Sequence, residues 1–422
     1  MAMWILVRLR SLGTPGRLAA MMFLEFFVWG AWFTSLGQYM NAQEMGEWIP
    51  LAYSVCWAGA IVSPIFLGMI ADRFFPTQFV LAGLHIVGGA LLLWAPYFGE
   101  GTGKNPQLFV TMIFLNMLCF MPTMGLCNSL AFRSLTNQEK QFPIIRVFGT
   151  LGWIVAGIVV SQYFKADQTN GSLRIGGVAG VLMGFYSLLL PHTPPPAKGQ
   201  PFSLKTALGL DALVLLRSRS FAVFLACSFL ISAPLSAYYN YTGNYLSALG
   251  DARPTFTQTY GQMSEVFFMV AMPLFFRALG VKWMLAVGML AWVARYGFYA
   301  VPTDSVSPLI YVAIALHGIC YDFFFVTGYI YTDKRAPAAI RAQAQQFVIL
   351  VTLGIGMIMG SQLMGRLHTY LFANDSKMAN LEQWRKFWMV PAIASAVIFV
   401  IFFLLFKDDT KKAGGAEEAA GN

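Results

Sequence analysis

Apolar runs of about twenty residues alternate with short polar connections from residue 18 to residue 406. A helix needs roughly 20 apolar residues to cross a hydrocarbon core of about 30 Å. The pattern therefore predicts about twelve spanning helices, at 18–40, 49–71, 77–98, 107–131, 142–164, 174–191, 220–248, 256–278, 282–301, 308–332, 340–365 and 386–406. The alternating strands of about ten residues that build a membrane β-barrel are not evident. The longest internal connection, "PHTPPPAKGQPFSLKTALGLDALVLLRSRS" (191–220), opens on a proline cluster that opposes a spanning helix. Within it, "SLKTALGLDALVLL" reads as a short helix at the membrane surface. The expected organisation is all-α: a six-helix bundle over 1–192, a cytoplasmic loop over 193–219 and a second six-helix bundle over 220–406. The tail 407–422, "KDDTKKAGGAEEAAGN", is polar, rich in small residues and expected to be disordered.

Composition agrees with a membrane protein. The chain is 57% hydrophobic and 11% charged, against about 25% charged residues in soluble domains, and its mean hydropathy is +0.61. The net charge of +9 does not point to nucleic acid, because the basic residues gather at segment ends. With both termini in the cytoplasm, most of the 28 Lys and Arg residues fall on cytoplasmic connections, as the positive-inside rule requires. No small-residue cleavage site follows "MAMWILVRLR", so the N-terminus is expected to be retained. Cys56, Cys119, Cys127, Cys227 and Cys320 lie in apolar segments without a CxxC pair, which opposes a disulfide framework or a zinc site. His85, His192, His317 and His368 lie on separate segments, and HExxH and a GxSxG in a sensible context are both absent. An enzyme is therefore not expected, and neither is a metal or an organic cofactor.

Five charged residues sit inside the predicted spans: Glu25, Arg146, Glu265, Arg295 and Asp322. Each costs at least about 2.5–3.5 kcal/mol at the bilayer centre unless it meets a wet cavity or a partner. Spacing suggests shared faces. Arg146, Thr150 and Trp153 follow i, i+4, i+7, as do Glu25, Trp29 and Trp32. Asn240 and Asn244 are i, i+4; Gln262 and Glu265 are i, i+3; His317 and Tyr321 stand beside Asp322. Glu25 is near enough to the cytoplasmic end of its span to reach water, and Arg295 reads as a structural charge partner or a snorkelling residue. Carboxylates and amides bind hydroxyl and ring N–H groups, and aromatic rings stack on a flat heterocycle. Buried carboxylates near an arginine also suit proton coupling. One proton crossing 100 mV supplies about 2.3 kcal/mol, roughly fifty-fold accumulation of a neutral solute.

Two sets of six spans around a long central loop resemble major facilitator transporters. "GMIADRFFP" (68–76) resembles that superfamily's loop signature through Gly68, Asp72 and Arg73, although "FFPTQF" replaces the basic residues that usually follow. More specifically, "LEFFVWGAWFTSLGQYM", "MPTMGLCNSLAF", "FPIIRVFGTLGW", "NYTGNYL", "QMSEVFF" and "YDFFFVTG" resemble, in order, the nucleoside:proton symporter family of that superfamily. The resemblance runs from about 18 to 406 and implies a twelve-helix fold and proton-driven nucleoside uptake by alternating access across a bacterial inner membrane. It implies substrate contacts from Arg146, Thr150, Trp153, Asn240, Gln262, Glu265 and Asp322. Glu265 and Asp322 lead as proton-coupling candidates, followed by Glu25 and His317. Glu25 stands where the family has Gln, Trp153 replaces Phe, His317 replaces Tyr, and Ala237 falls where a substrate-facing Gln can occur. A proton-coupled sugar or drug carrier of the same fold is the alternative. The expected partners are a nucleoside, protons and the lipid bilayer, with the chain as a monomer.

Overall fold

The computed structural model describes residues 13–66, 74–195, 203–375 and 377–409. Their regular secondary structure is helical, with no β-strand among the described residues. Helices α1 (Thr14–Gly30) and α2 (Leu36–Ala42) flank a turn. They are followed by α3 (Ile49–Phe66), α4 (Thr77–Gly99), α5 (Pro106–Ser134), α6 (Gln138–Gly157) and α7 (Gly171–Ser187). After α8 (Leu204–Ala207) come α9 (Arg219–Ala248), α10 (Pro254–Tyr299), α11 (Pro308–Tyr321), α12 (Thr327–Arg335), α13 (Arg341–Ile349), α14 (Met357–Leu371) and α15 (Leu381–Leu405). Three π-helical turns continue or join these elements: Ile158–Tyr163 after α6, Asp322–Val326 between α11 and α12, and Leu350–Gly356 between α13 and α14.

Eight helical segments among the described residues are long and apolar enough to cross a membrane. They cover nine of the expected spans, because 256–278 and 282–301 form the single element α10. It breaks at Gly280, where φ is 68° and ψ −179°, a conformation that disfavours any residue with a Cβ. The other three expected spans are also helical: 18–40 is interrupted after Gly30, 49–71 is described as helix to Phe66, and 174–191 is the 17-residue α7. Several helices begin where the chain supplies an N-cap acceptor. The side chains of Asn105, Asn137, Ser218 and Asn380 accept from backbone N–H groups in the first turns of α5, α6, α9 and α15.

Contacts divide the chain into two compact units. The first comprises Met1–Phe202 with Arg253–Thr259, and the second Ser203–Ala252 with Tyr260–Asn422. In the first, α1 packs along α6 and α7, and α4 packs on both α5 and α7. A Cβ at Gly152 would overlap the carbonyl oxygen of Phe23, so glycine there lets α1 and α6 close on each other. In the second, α9 packs on α14, α15 and the Leu350–Gly356 turn.

The segment expected as a surface helix is helical in two short pieces, α8 and the 3₁₀ stretch Leu210–Arg217, parted at Gly209 with φ 70°. Gly68, Asp72 and Arg73 lie outside the described residues, as does the tail from 410. Within 407–409, Asp409 is anchored: Arg335 Nε, Ser218 Oγ and the Tyr331 hydroxyl each donate to its carboxylate at 3.0 Å.

Candidate functional site

In the second unit Arg295, His317 and Glu265 form a chain of polar contacts. The first half of α10 carries Gln262 and Glu265, its second half Arg295, α11 His317, and the π turn begins at Asp322. A Cβ at Gly318 would lie 2.6 Å from the Ser264 backbone, so α11 approaches α10 at the level of Glu265. Arg295 is fully buried, with its guanidinium 3.5 Å from the centroid of the Tyr238 ring. Its Nη1 donates to Nδ1 of His317 at 3.1 Å. Arginine has no acceptor, so Nδ1 accepts and the ring hydrogen belongs on Nε2. That nitrogen faces Oε2 of Glu265 at 3.7 Å. Arg295 is therefore buried against Tyr238 and His317 and does not snorkel.

Asp322 is fully buried, and neither carboxylate oxygen has a hydrogen-bond partner among the described residues. The same is true of both amide atoms of Asn240 and of Nδ2 of Asn244. Buried polar groups are ordinarily satisfied. A ligand bearing hydroxyl and N–H groups has the chemistry to complete this set: carboxylate acceptors for hydroxyls, and amides that both donate and accept.

In the first unit, the spacing of Arg146, Thr150 and Trp153 works as the helical period predicts. The Arg146 guanidinium lies over the Phe26 ring at 4.2 Å, Thr150 is buried, and Trp153 meets Trp29 edge-on at 5.2 Å. Phe33, Trp57 and Phe120 extend this aromatic wall around Trp29, at 5.3, 6.3 and 5.5 Å. Rings stacked edge to face give a flat ligand an apolar surface to lie on.

Two expectations for α1 are corrected. Glu25 does not reach water: it is fully buried and bonded to His85, Thr123 and Cys127. It also does not share a face with both tryptophans. Helix α1 ends at Gly30 and Trp32 falls in the following turn, where it packs toward Gly176 of α7 while Trp29 faces Trp153. Sequence spacing missed His85, Thr123 and Cys127 as partners of Glu25. The available signal was the histidine itself, a polar residue within "LAGLHIVGG" that needs a partner by the same argument as Glu25.

An all-helical chain with apolar spans and intramembrane charges is built for a membrane, and the likeness to solved structures makes the fold specific. The crystal structure of the nucleoside transporter NupG matches with a TM-score of 0.83 at 27% identity, covering 94% of this chain and 100% of that one. The fold is that of the major facilitator transporters. The sequence model of the nucleoside H+ symporter family matches residues 12–411, and the chain belongs to that family. The putative nucleoside transporter YegT of Escherichia coli K12 is 38% identical over 401 residues, 92% of this chain and 93% of its own. The xanthosine permease of the same organism is 30% identical over 410 residues, 93% of this chain and 95% of its own. The chain is a multi-pass membrane transporter, not an enzyme, and proton-coupled nucleoside transport is its activity.

Proposed function

We infer that this chain imports nucleosides with protons across a bacterial inner membrane, as a monomer with both termini in the cytoplasm. Asn240, Gln262, Glu265 and Asp322 of the second unit bind the ribose hydroxyls and base edge. Arg146, Thr150 and Trp153 of the first unit are substrate contacts. The coupling ion is the proton, with Glu265 and Asp322 as its leading carriers and His317 beside them. The carrier presents these residues alternately to the two sides, as secondary transporters do.

The observation that carries this reading is Asp322: a fully buried carboxyl group without a hydrogen-bond partner among the described residues. Hydroxyls and N–H groups of a solute are the donors its oxygens would accept.

The test is uptake of labelled uridine and adenosine in cells lacking their own carriers, with and without a protonophore, together with competition by a panel of nucleosides. Uptake is expected to fall when the proton gradient is collapsed. Uptake indifferent to that gradient excludes symport, and displacement of label by sugars but not by nucleosides excludes the substrate class.

A further inference from the structure

The first unit holds a second cluster of titratable side chains that the proposed transport residues do not include. Glu25 on α1 and His85 on α4 are both buried, with Nε2 of His85 2.8 Å from Oε2 of Glu25. From α5, the Thr123 hydroxyl contacts Oε1 of Glu25 at 2.6 Å and the Cys127 thiol contacts Oε2 at 3.4 Å. The other helices packed on α1 bring few charges. On α6, Arg146 lies over the ring of Phe26, the next residue along from Glu25. On α7, the Tyr186 hydroxyl donates to the carbonyl of Arg17 near the start of α1, and Arg174 occupies the first turn of α7. Cys119 is a further titratable group on α5, with its Cβ-bearing face toward Gly88 of α4.

The hydrogens of this cluster can be counted. The Thr123 hydroxyl lies 2.6 Å from two acceptors, Oε1 of Glu25 and the carbonyl oxygen of Phe120. A hydroxyl has one hydrogen to donate, and an O···O separation of that length calls for a hydrogen between the atoms. With Glu25 ionised, one of the two contacts is left without its own hydrogen. With a proton on Oε1, Glu25 donates to Thr123, Thr123 donates to Phe120, and Oε2 still accepts from His85 and Cys127. Every contact is then made. The site has places for one more hydrogen than its ionised form contains.

We propose that Glu25, with His85, Thr123 and Cys127 around it, is a proton-binding site inside the first unit, and that it takes up and releases one proton in each transport cycle. This deepens the nucleoside:proton reading and rests on it. It adds one proton to those handled by Glu265 and Asp322.

Glu25→Gln is the informative variant, because its amide N–H donates to Thr123 and its carbonyl accepts from His85, copying the protonated state without a titrating group. The full chain in proteoliposomes gives the proton-to-uridine ratio from the membrane potential that balances a fixed uridine gradient. Infrared difference spectra of the same protein between acid and alkaline buffer report the carboxylic acid C=O band. The expected result is a ratio lower by one proton per uridine in Glu25→Gln, with uridine counterflow kept and one titrating carboxyl band lost. An unchanged ratio overturns the proposal. So does an unchanged set of carboxyl bands, which also decides the matter if Glu25→Gln blocks net flux. A wild-type protein that carries no nucleoside refutes the transport reading instead, while the infrared comparison still reports on Glu25.

Discussion

Nε2 of His317 stands 3.7 Å from Oε2 of Glu265, while Nδ1 of the same ring accepts from Arg295 at 3.1 Å. The imidazole is thereby fixed from one side by a cation that cannot give up its proton, and its N–H is turned toward a carboxylate. A movement of well under an ångström separates this contact from a hydrogen bond. The pair thus joins α11 to this part of α10 through a contact that the charge on Glu265 strengthens.

Glu265→Gln is expected to uncouple transport. The amide keeps a hydrogen-bonding group at the position but cannot exchange a proton. In proteoliposomes at 100 mV, a one-proton carrier sustains about fifty-fold accumulation. The steady-state uridine ratio of the variant is expected to fall toward one. A ratio that still follows the imposed gradient would remove Glu265 from the coupling machinery.

Asp322→Asn is expected to separate stability from binding. The wild-type carboxyl is buried without an internal partner among the described residues, so replacing it with an uncharged amide relieves a desolvated group. The melting temperature of the variant without substrate should stay level or rise. The stabilisation by nucleoside should disappear: at a ligand concentration about 100 times Kd it amounts to about 2.7 kcal/mol in a competent protein. Melting curves with and without uridine make the comparison. A variant that loses stability and keeps the uridine shift would assign Asp322 to structure.

How much of this was visible beforehand depends on the range of each contact. The spans and the face shared by Arg146, Thr150 and Trp153 follow from local periodicity, and the structure has Trp153 against Trp29 and Arg146 over Phe26. Glu25 and His85 are sixty positions apart, and Arg295 and His317 twenty-two. No helical period connects such pairs, so sequence could flag Glu25 or Arg295 as charges needing partners without naming them. The loss of the Glu25, Trp29 and Trp32 face has a different cause: spacing arguments assume an unbroken helix, and α1 stops at Gly30.

Arg295→Met is expected to destabilise the second unit. The side chain is fully buried, it covers Tyr238 and it donates to His317. A desolvated cation–π contact is worth about 2 kcal/mol, and leaving the buried Nδ1 of His317 without its donor costs about 1–3 kcal/mol. A loss of about 3 kcal/mol, the lower combined value, should appear as a clearly lower melting temperature in detergent. Arg295→Lys should fall between the two, because an ammonium keeps the charge but not the planar fork. Equal melting temperatures for wild type and Met variant would show that the burial of Arg295 contributes nothing to the fold.

Asp409 offers a test at the other extreme of exposure. Its carboxylate receives Ser218, which also caps α9, together with Tyr331 and Arg335 of α12. The Arg335–Asp409 pair is partly exposed, at 27% and 19% for the two side chains. Water and salt therefore weaken it, and the full value of a buried pair does not apply. Asp409→Ala is expected to cost about 1 kcal/mol, well below the loss at Arg295. The wild-type melting temperature should decline modestly between low and high salt, while the variant, lacking the screened contact, should change less. If the two proteins respond to salt alike and melt together, the Asp409 contacts hold nothing in place.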